Sequence, residues 1–147
     1  MLKEIDIGHA GQSANNAISD LEVAISTAKS DSRITAVKII HGLGSGRVAA
    51  EVRGWAKEQR GRFRGVINGE DYDMFNKDAV DMRSGFLSSK DEDFNRRNPG
   101  ITIIWLAHAA ELCEQASQAF TEVWTHLGNK PVKIMRVWGN YHESMEL

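Results

Sequence analysis

Residues 34–40, Ile-Thr-Ala-Val-Lys-Ile-Ile, constrain the fold most, because they run without a break into His41-Gly42-Leu43-Gly44-Ser45-Gly46. β-branched side chains crowd a helix and pack well in a sheet, so this run, bounded by glycine, predicts a buried strand. The glycines then end it in a turn. Beyond the turn Val48, Val52, Trp55 and Ala56 recur at helical spacing. A strand that feeds a helix through a glycine loop is a unit of α/β architecture.

The flanking sequence repeats the alternation. Leu2, Ile5 and Ile7 around Asp6 predict a short first strand, broken by Gly8-His9-Ala10-Gly11. Ser13 can cap a helix in which Ala14, Ala17, Ile18, Leu21, Ile25 and Ala28 recur at intervals of 3 and 4, ending at Asp31-Ser32. A third strand fits residues 63–67, and Asn98-Pro99-Gly100 is a turn signal before the apolar strand 101–106. Ala109, Leu112, Cys113, Ala116, Phe120, Val123 and Leu127 predict a long helix closed by Gly128-Asn129, and Pro131 precedes a last strand at 132–138. The acidic stretch 70–98 lacks a strand period and reads as an insertion or mobile loop, in which Tyr72, Met74, Phe75, Val80 and Met82 could make a short packed helix. The expected fold is an α/β two-layer sandwich over 1–147. It has a β-α-β-α-β-β core at 4–106, the insertion at about 70–98, and a C-terminal helix and strand in 107–147.

Charge sets the next constraint. Eighteen Lys and Arg against 20 Asp and Glu give a net charge of −2, which argues against a strongly basic nucleic-acid binder if charge is evenly spread. It is not evenly spread. Residues 46–64 carry Arg47, Arg53, Lys57, Arg60, Arg62 and Arg64, a local balance of +4, whereas residues 70–95 sum to −5. On a helix Arg53, Lys57 and Arg60 fall at i, i+4 and i+7, one stripe, which is either an ordinary solvated face or a surface for an anionic ligand. The single Cys113 excludes an internal disulfide, and no Cys and His cluster suggests structural zinc. No run of about 18 apolar residues and no signal-peptide pattern occurs, so the expectation is a cytoplasmic protein outside the membrane.

The glycine turn is where chemistry can reside. Glycines let backbone N–H groups approach an anion, and a helix N-terminus adds partial positive charge, so the turn can hold a phosphate with His41 beside it. A tight turn with a satisfied histidine has the same spacing. The dinucleotide fingerprint is incomplete, and no Lys-Ser/Thr of a P-loop follows, so nucleotide-cofactor readings are poor. Phe63, between Arg62 and Arg64, suits either strand packing or stacking on a single-stranded base. Trp55 and Trp124 lie on apolar helical faces and read as core.

The segment Ile39-Ile40-His41-Gly42-Leu43-Gly44-Ser45-Gly46, the arginine-bearing helix after it, and Asn98-Pro99-Gly100-Ile101-Thr102-Ile103-Ile104 together resemble the Smr (small MutS-related) domain over about residues 4–106. The resemblance implies a fold like the C-terminal domain of translation initiation factor 3, and a nuclease or binding module acting on DNA or RNA. The first family motif, Leu-Asp-x-His, is altered. Asp6 matches, Gly8 stands at the histidine position, and His9 comes one residue late. A bulge at Gly8 would return His9 to the face of Asp6; otherwise His9 is a loop residue and the pairing is lost.

Phosphodiester cleavage needs a base, an acid and positive charge on the phosphate. His41 is the candidate acid or base, Asp6 can orient a histidine or hold Mg²⁺ or Mn²⁺, and His9 is conditional on the bulge. Gly42, Gly44, Ser45, Gly46 and Arg47 are the candidate phosphate cradle. Arg53, Lys57, Arg60, Arg62 and Arg64 are further backbone contacts, and Thr102 offers a hydroxyl. The expected function is nucleic-acid binding with endonuclease activity. The alternatives are an inactive binding module of the same fold and a binder of a small phosphorylated ligand.

Overall fold

The computed structural model describes residues 1–8, 13–59, 61–86, 90–138 and 141–146, with the side chains of 109–115 and 136–146 outside the description. Contacts divide the chain into two units, Met1–Ala107 and His108–Leu147. The first contains β1 (Leu2–Asp6), α1 (Ala14–Ser30), β2 (Ala36–Ile40), α2 (Arg47–Glu58), β3 (Phe63–Asn68), a 3₁₀ turn (Gly69–Asp71), α3 (Lys77–Ser84) and β4 (Ile101–Leu106). Its sheet has the order β1-β2-β4-β3, with β1 parallel to β2 and β4 antiparallel to both β2 and β3. The second contains α4 (Ala109–Leu127) and the antiparallel hairpin β5 (Lys133–Trp138) and β6 (Tyr141–Glu146).

Side-chain alternation splits the central strands between two apolar clusters. Val37 and Ile39 of β2, with Ile104 and Leu106 of β4, face Leu21 and Ile25 of α1 and Val52 and Ala56 of α2. Each of the Val, Leu and Ile side chains among these contributes roughly 1.5–3 kcal/mol by leaving water. Ser13 caps α1 through its hydroxyl, which accepts from Asn16 N at 3.3 Å. Phe63 packs beside Trp55, with ring centroids 5.7 Å apart, against this same core, so strand packing accounts for it.

The opposite face corrects the expectation of a mobile insertion. Ala36, Ile67, Ile101 and Ile103 are covered there by Tyr72, Ala79 and Met82, with Phe94 packed on the cluster. The described residues of the acidic segment therefore fold as a second cover on the sheet. The apolar residues scattered through it, too irregular for a strand, supply that cover from the 3₁₀ turn, α3 and the turn at 91–95. Lys38 also faces this side, 3% exposed, and its ammonium meets Glu4, Asp91 and Asp93. Part of the acidic charge thus neutralises a buried lysine.

Candidate functional site

The carboxyl ends of β1 and β2 lie beside the amino end of β4, and the glycine turn closes over them. Both His41 N and Gly42 N donate to Gly100 O at 3.0 Å, which ties the turn to the Asn98-Pro99-Gly100 bend. Gly42, Gly44 and Gly46 have φ of +71°, +33° and +77°, so torsion rather than lack of space requires glycine at these positions. Gly46 is the N-cap of α2, no side chain caps the helix, and its first turn carries no acid. Of the expected cradle amides, Gly42 N is taken by Gly100 O and Gly46 N donates to Leu43 O at 3.0 Å, so the donors left for an anion are those at the uncapped, positive end of α2, beside the exposed Ser45 and Arg47.

His41 is 5% exposed and its ring is held at both nitrogens. Nδ1 lies 3.0 Å from Gly42 O and Nε2 lies 3.1 Å from Thr102 Oγ1. A carbonyl only accepts, so in the neutral ring Nδ1 carries the proton and the Thr102 hydroxyl donates to Nε2. Burial pushes the His41 pKa below its ordinary value, and Arg53 reinforces the shift against the opposing Gly42 carbonyl and Glu70. Because the unfolded chain binds that proton more readily, stability is complete above the ordinary histidine pKa of about 6.5 and falls as pH drops through the folded value. Urea denaturation between pH 7 and pH 5 should show a steeper loss for the natural chain than for His41→Gln, by at most about 1.4 kcal/mol per pH unit.

Asp6 is separated from this histidine. The register sets Asp6 beside Ile40, on the face of Glu4 and Lys38, whereas Thr102 sits beside Ile39 on the α1 and α2 face. Asp6 Oδ1 instead accepts from Gly8 N at 2.9 Å. A Cβ on Gly8 would stand 3.1 Å from the His41 carbonyl carbon, so β1 ends pressed against the glycine turn. His9 lies outside the described residues, and with it the proposed bulge.

The basic residues divide. Arg62 turns to α1, pairing with Glu22, and also bonds Gln59 at 3.0 Å. Arg53 makes a paired contact with Glu70, at 3.1 and 2.7 Å, and reaches Pro99 O at 3.3 Å. Arg64 stacks 4.2 Å above the Trp105 ring. Arg53, Lys57 and Arg64 nevertheless line one groove of about 460 Å³ between α2 and the edge strand β3, floored by Ala56, Phe63 and Val66, and no acid lines it. Arg60 lies outside the described residues. Sequence reading missed Glu70 and Gly69 and saw Gly100 only as part of the turn before β4; the signal available for Gly69 was its place at the end of β3.

Among the described residues no three His, Cys, Asp or Glu side chains form a cluster able to hold a metal ion. No described helix is long and apolar enough to cross a membrane.

No family model matches the chain, and no curated protein matches it. Among solved structures, it is similar to the Smr domain of Thermus thermophilus MutS2, with 15% identity and a TM-score of 0.47, over 71% of this chain and 98% of that one. What the site can do is read from its own residues.

Proposed function

We propose that this chain is an Smr-like nucleic-acid-binding protein that holds the phosphodiester backbone at the glycine turn and along α2. The observation that carries this reading is the uncapped N-terminus of α2 behind three left-handed glycines, on the same helix as a groove lined by three cations and no acid. Backbone amides and the helix dipole favour a phosphate at the turn. Arg47 would pair with it there, and Lys57 and Arg64 would meet phosphates farther along the strand. Arg53 is already engaged by Glu70, so it shapes the groove more than it contributes charge. In this reading His41 is a neutral strut that orders the turn through Gly42 and Thr102.

Cleavage of DNA or RNA is the second reading, favoured by the lowered pKa of His41, which leaves an unprotonated imidazole at neutral pH. As a base, Nε2 would exchange the Thr102 hydroxyl for a water or ribose hydroxyl, and the proton lost by that nucleophile would pass to the ring. Asp6, on the other face, would act on a different group, and His9 is the remaining candidate for the acid.

The test is to incubate the purified chain with supercoiled plasmid and structured RNA, with Mg²⁺, Mn²⁺ or EDTA, beside Arg47→Glu, Lys57→Glu, His41→Ala and Asp6→Ala. Binding is expected, weakened roughly tenfold by each charge reversal, since a lost phosphate contact becomes a repulsion. Binding without cleavage supports the module. Cleavage abolished by His41→Ala supports the nuclease, and cleavage surviving both His41→Ala and Asp6→Ala removes these residues from the chemistry. Absence of nucleic-acid binding with retained inorganic phosphate binding would replace the proposal with a small phosphorylated ligand.

A further inference from the structure

We propose that a second copy of this chain docks on the groove between α2 and β3 by inserting the turn that carries Phe75. Phe75 is 85% exposed and its neighbour Met74 is 59% exposed. That turn is not slack. Met74 N donates to Asn95 Oδ1 at 2.9 Å, Phe75 N donates to Asp73 Oδ1 at 2.9 Å, and the Asn76 side chain caps α3 by accepting from Ala79 N at 3.0 Å. A phenyl ring held out in water by a fixed backbone has little ordering entropy left to lose on binding, as an interface anchor requires.

The surroundings of the ring identify its partner. Glu70, Asp71 and Asp73 line the hollow beside Phe75, with Arg97 bound to Asp73 at 3.5 Å. The groove has the opposite character, an apolar floor rimmed by cations, and its volume of about 460 Å³ admits a phenyl ring. The two surfaces adjoin at one ion pair, because Arg53 lines the groove and Glu70, 2.7 Å from it, lines the acidic hollow. Adjacent patches of opposite sign satisfy each other twice under a two-fold rotation, so each ring enters the partner's groove in a closed dimer. Such a dimer covers the surface proposed above for nucleic acid. Its test is made without nucleic acid, so the outcome does not depend on that reading.

Sedimentation velocity of the full chain over a concentration series is expected to show a shift from the monomer to twice its mass, weakened by added salt. Phe75→Ser and Lys57→Glu should each raise the dissociation constant at least about tenfold, the effect of losing an anchor. Combining Lys57→Glu with Asp71→Lys in one chain should restore association, because the charges are exchanged rather than lost. Circular dichroism checks that these surface variants fold. A monomer at every concentration up to millimolar, or a dimer indifferent to both Phe75→Ser and Lys57→Glu, would overturn the proposal.

Discussion

Lys38→Met should destabilise the chain by about 3–5 kcal/mol, the range expected when one partner of a buried ionic cluster is removed. The ammonium lies 2.8 Å from both Asp91 and Asp93 and also meets Glu4, and the Asp91 side chain is 6% exposed. Burial alone would lower the Lys38 pKa, yet the hydrogen bonds its ammonium donates to the three carboxylates hold it above the ordinary lysine value. Without the cation, Asp91 and Asp93 would face each other with little water. Asp91 also accepts from the Tyr72 hydroxyl at 2.9 Å, so the damage should spread to the cover formed by Tyr72 and Phe94. Urea denaturation at pH 7 measures the loss, and hydrogen exchange should report early opening of residues 90–98. Lys38→Met with Asp91→Asn should recover part of it. A loss below about 1 kcal/mol would mean that the cluster is effectively solvated.

The second large effect is expected at Gly69. A Cβ there would lie 1.8 Å from Asn98 O and 2.5 Å from Ile101 Cγ1, distances that require backbone movement. Gly69→Ala should cost about 3 kcal/mol, at the upper end of overpacking effects. It should also weaken the site, since the displaced bend carries the Gly100 carbonyl that accepts from His41 N and Gly42 N. Gly54→Ala is the matched control. No atom stands within 4 Å of its added Cβ in α2, so it should stabilise by roughly 0.5–1 kcal/mol through helix propensity. Thermal denaturation and oligonucleotide affinity of the two variants separate steric damage from handling effects.

Much of this fold was legible because the decisive signals are local. The β-branched run before His41, the periodicity of α1 and the turn before β4 each specify backbone conformation within a few residues. The cover made by the described residues of the acidic stretch was legible only in part: a short packed helix was expected there and α3 forms with Met82 buried, but Met74 and Phe75 stay exposed, and Tyr72, Met82 and Phe94 acquire a common face only through tertiary packing. Lys38 is in the same position, because its sequence neighbours are apolar while its partners stand more than 30 residues away or on another strand. β6 was missed for a simpler reason: Tyr-His-Glu-Ser-Met-Glu has no apolar alternation to reveal a strand.

At the site, the glycine turn and the proximity of His41 to Thr102 were foreseeable from the strand ends they occupy. The separation of Asp6 from His41 depended on register, which places the two on opposite faces of the sheet. The basic stripe was legible as composition but not as geometry. Arg62 left it for Glu22, and Arg53 was neutralised by Glu70, an acid from the segment that lowers the chain's net charge.

The most direct test is the affinity of the natural chain for a fluorescent duplex DNA and its single strand, measured by anisotropy from low to moderate salt. Contacts from Arg47, Lys57 and Arg64 predict a log–log slope of about −2 to −3 on the duplex, since each phosphate contact contributes about −0.9. Arg47→Glu should make that slope shallower. A slope near zero, or one unchanged by Arg47→Glu and Lys57→Glu together, would contradict the phosphate-binding account of the glycine turn and α2.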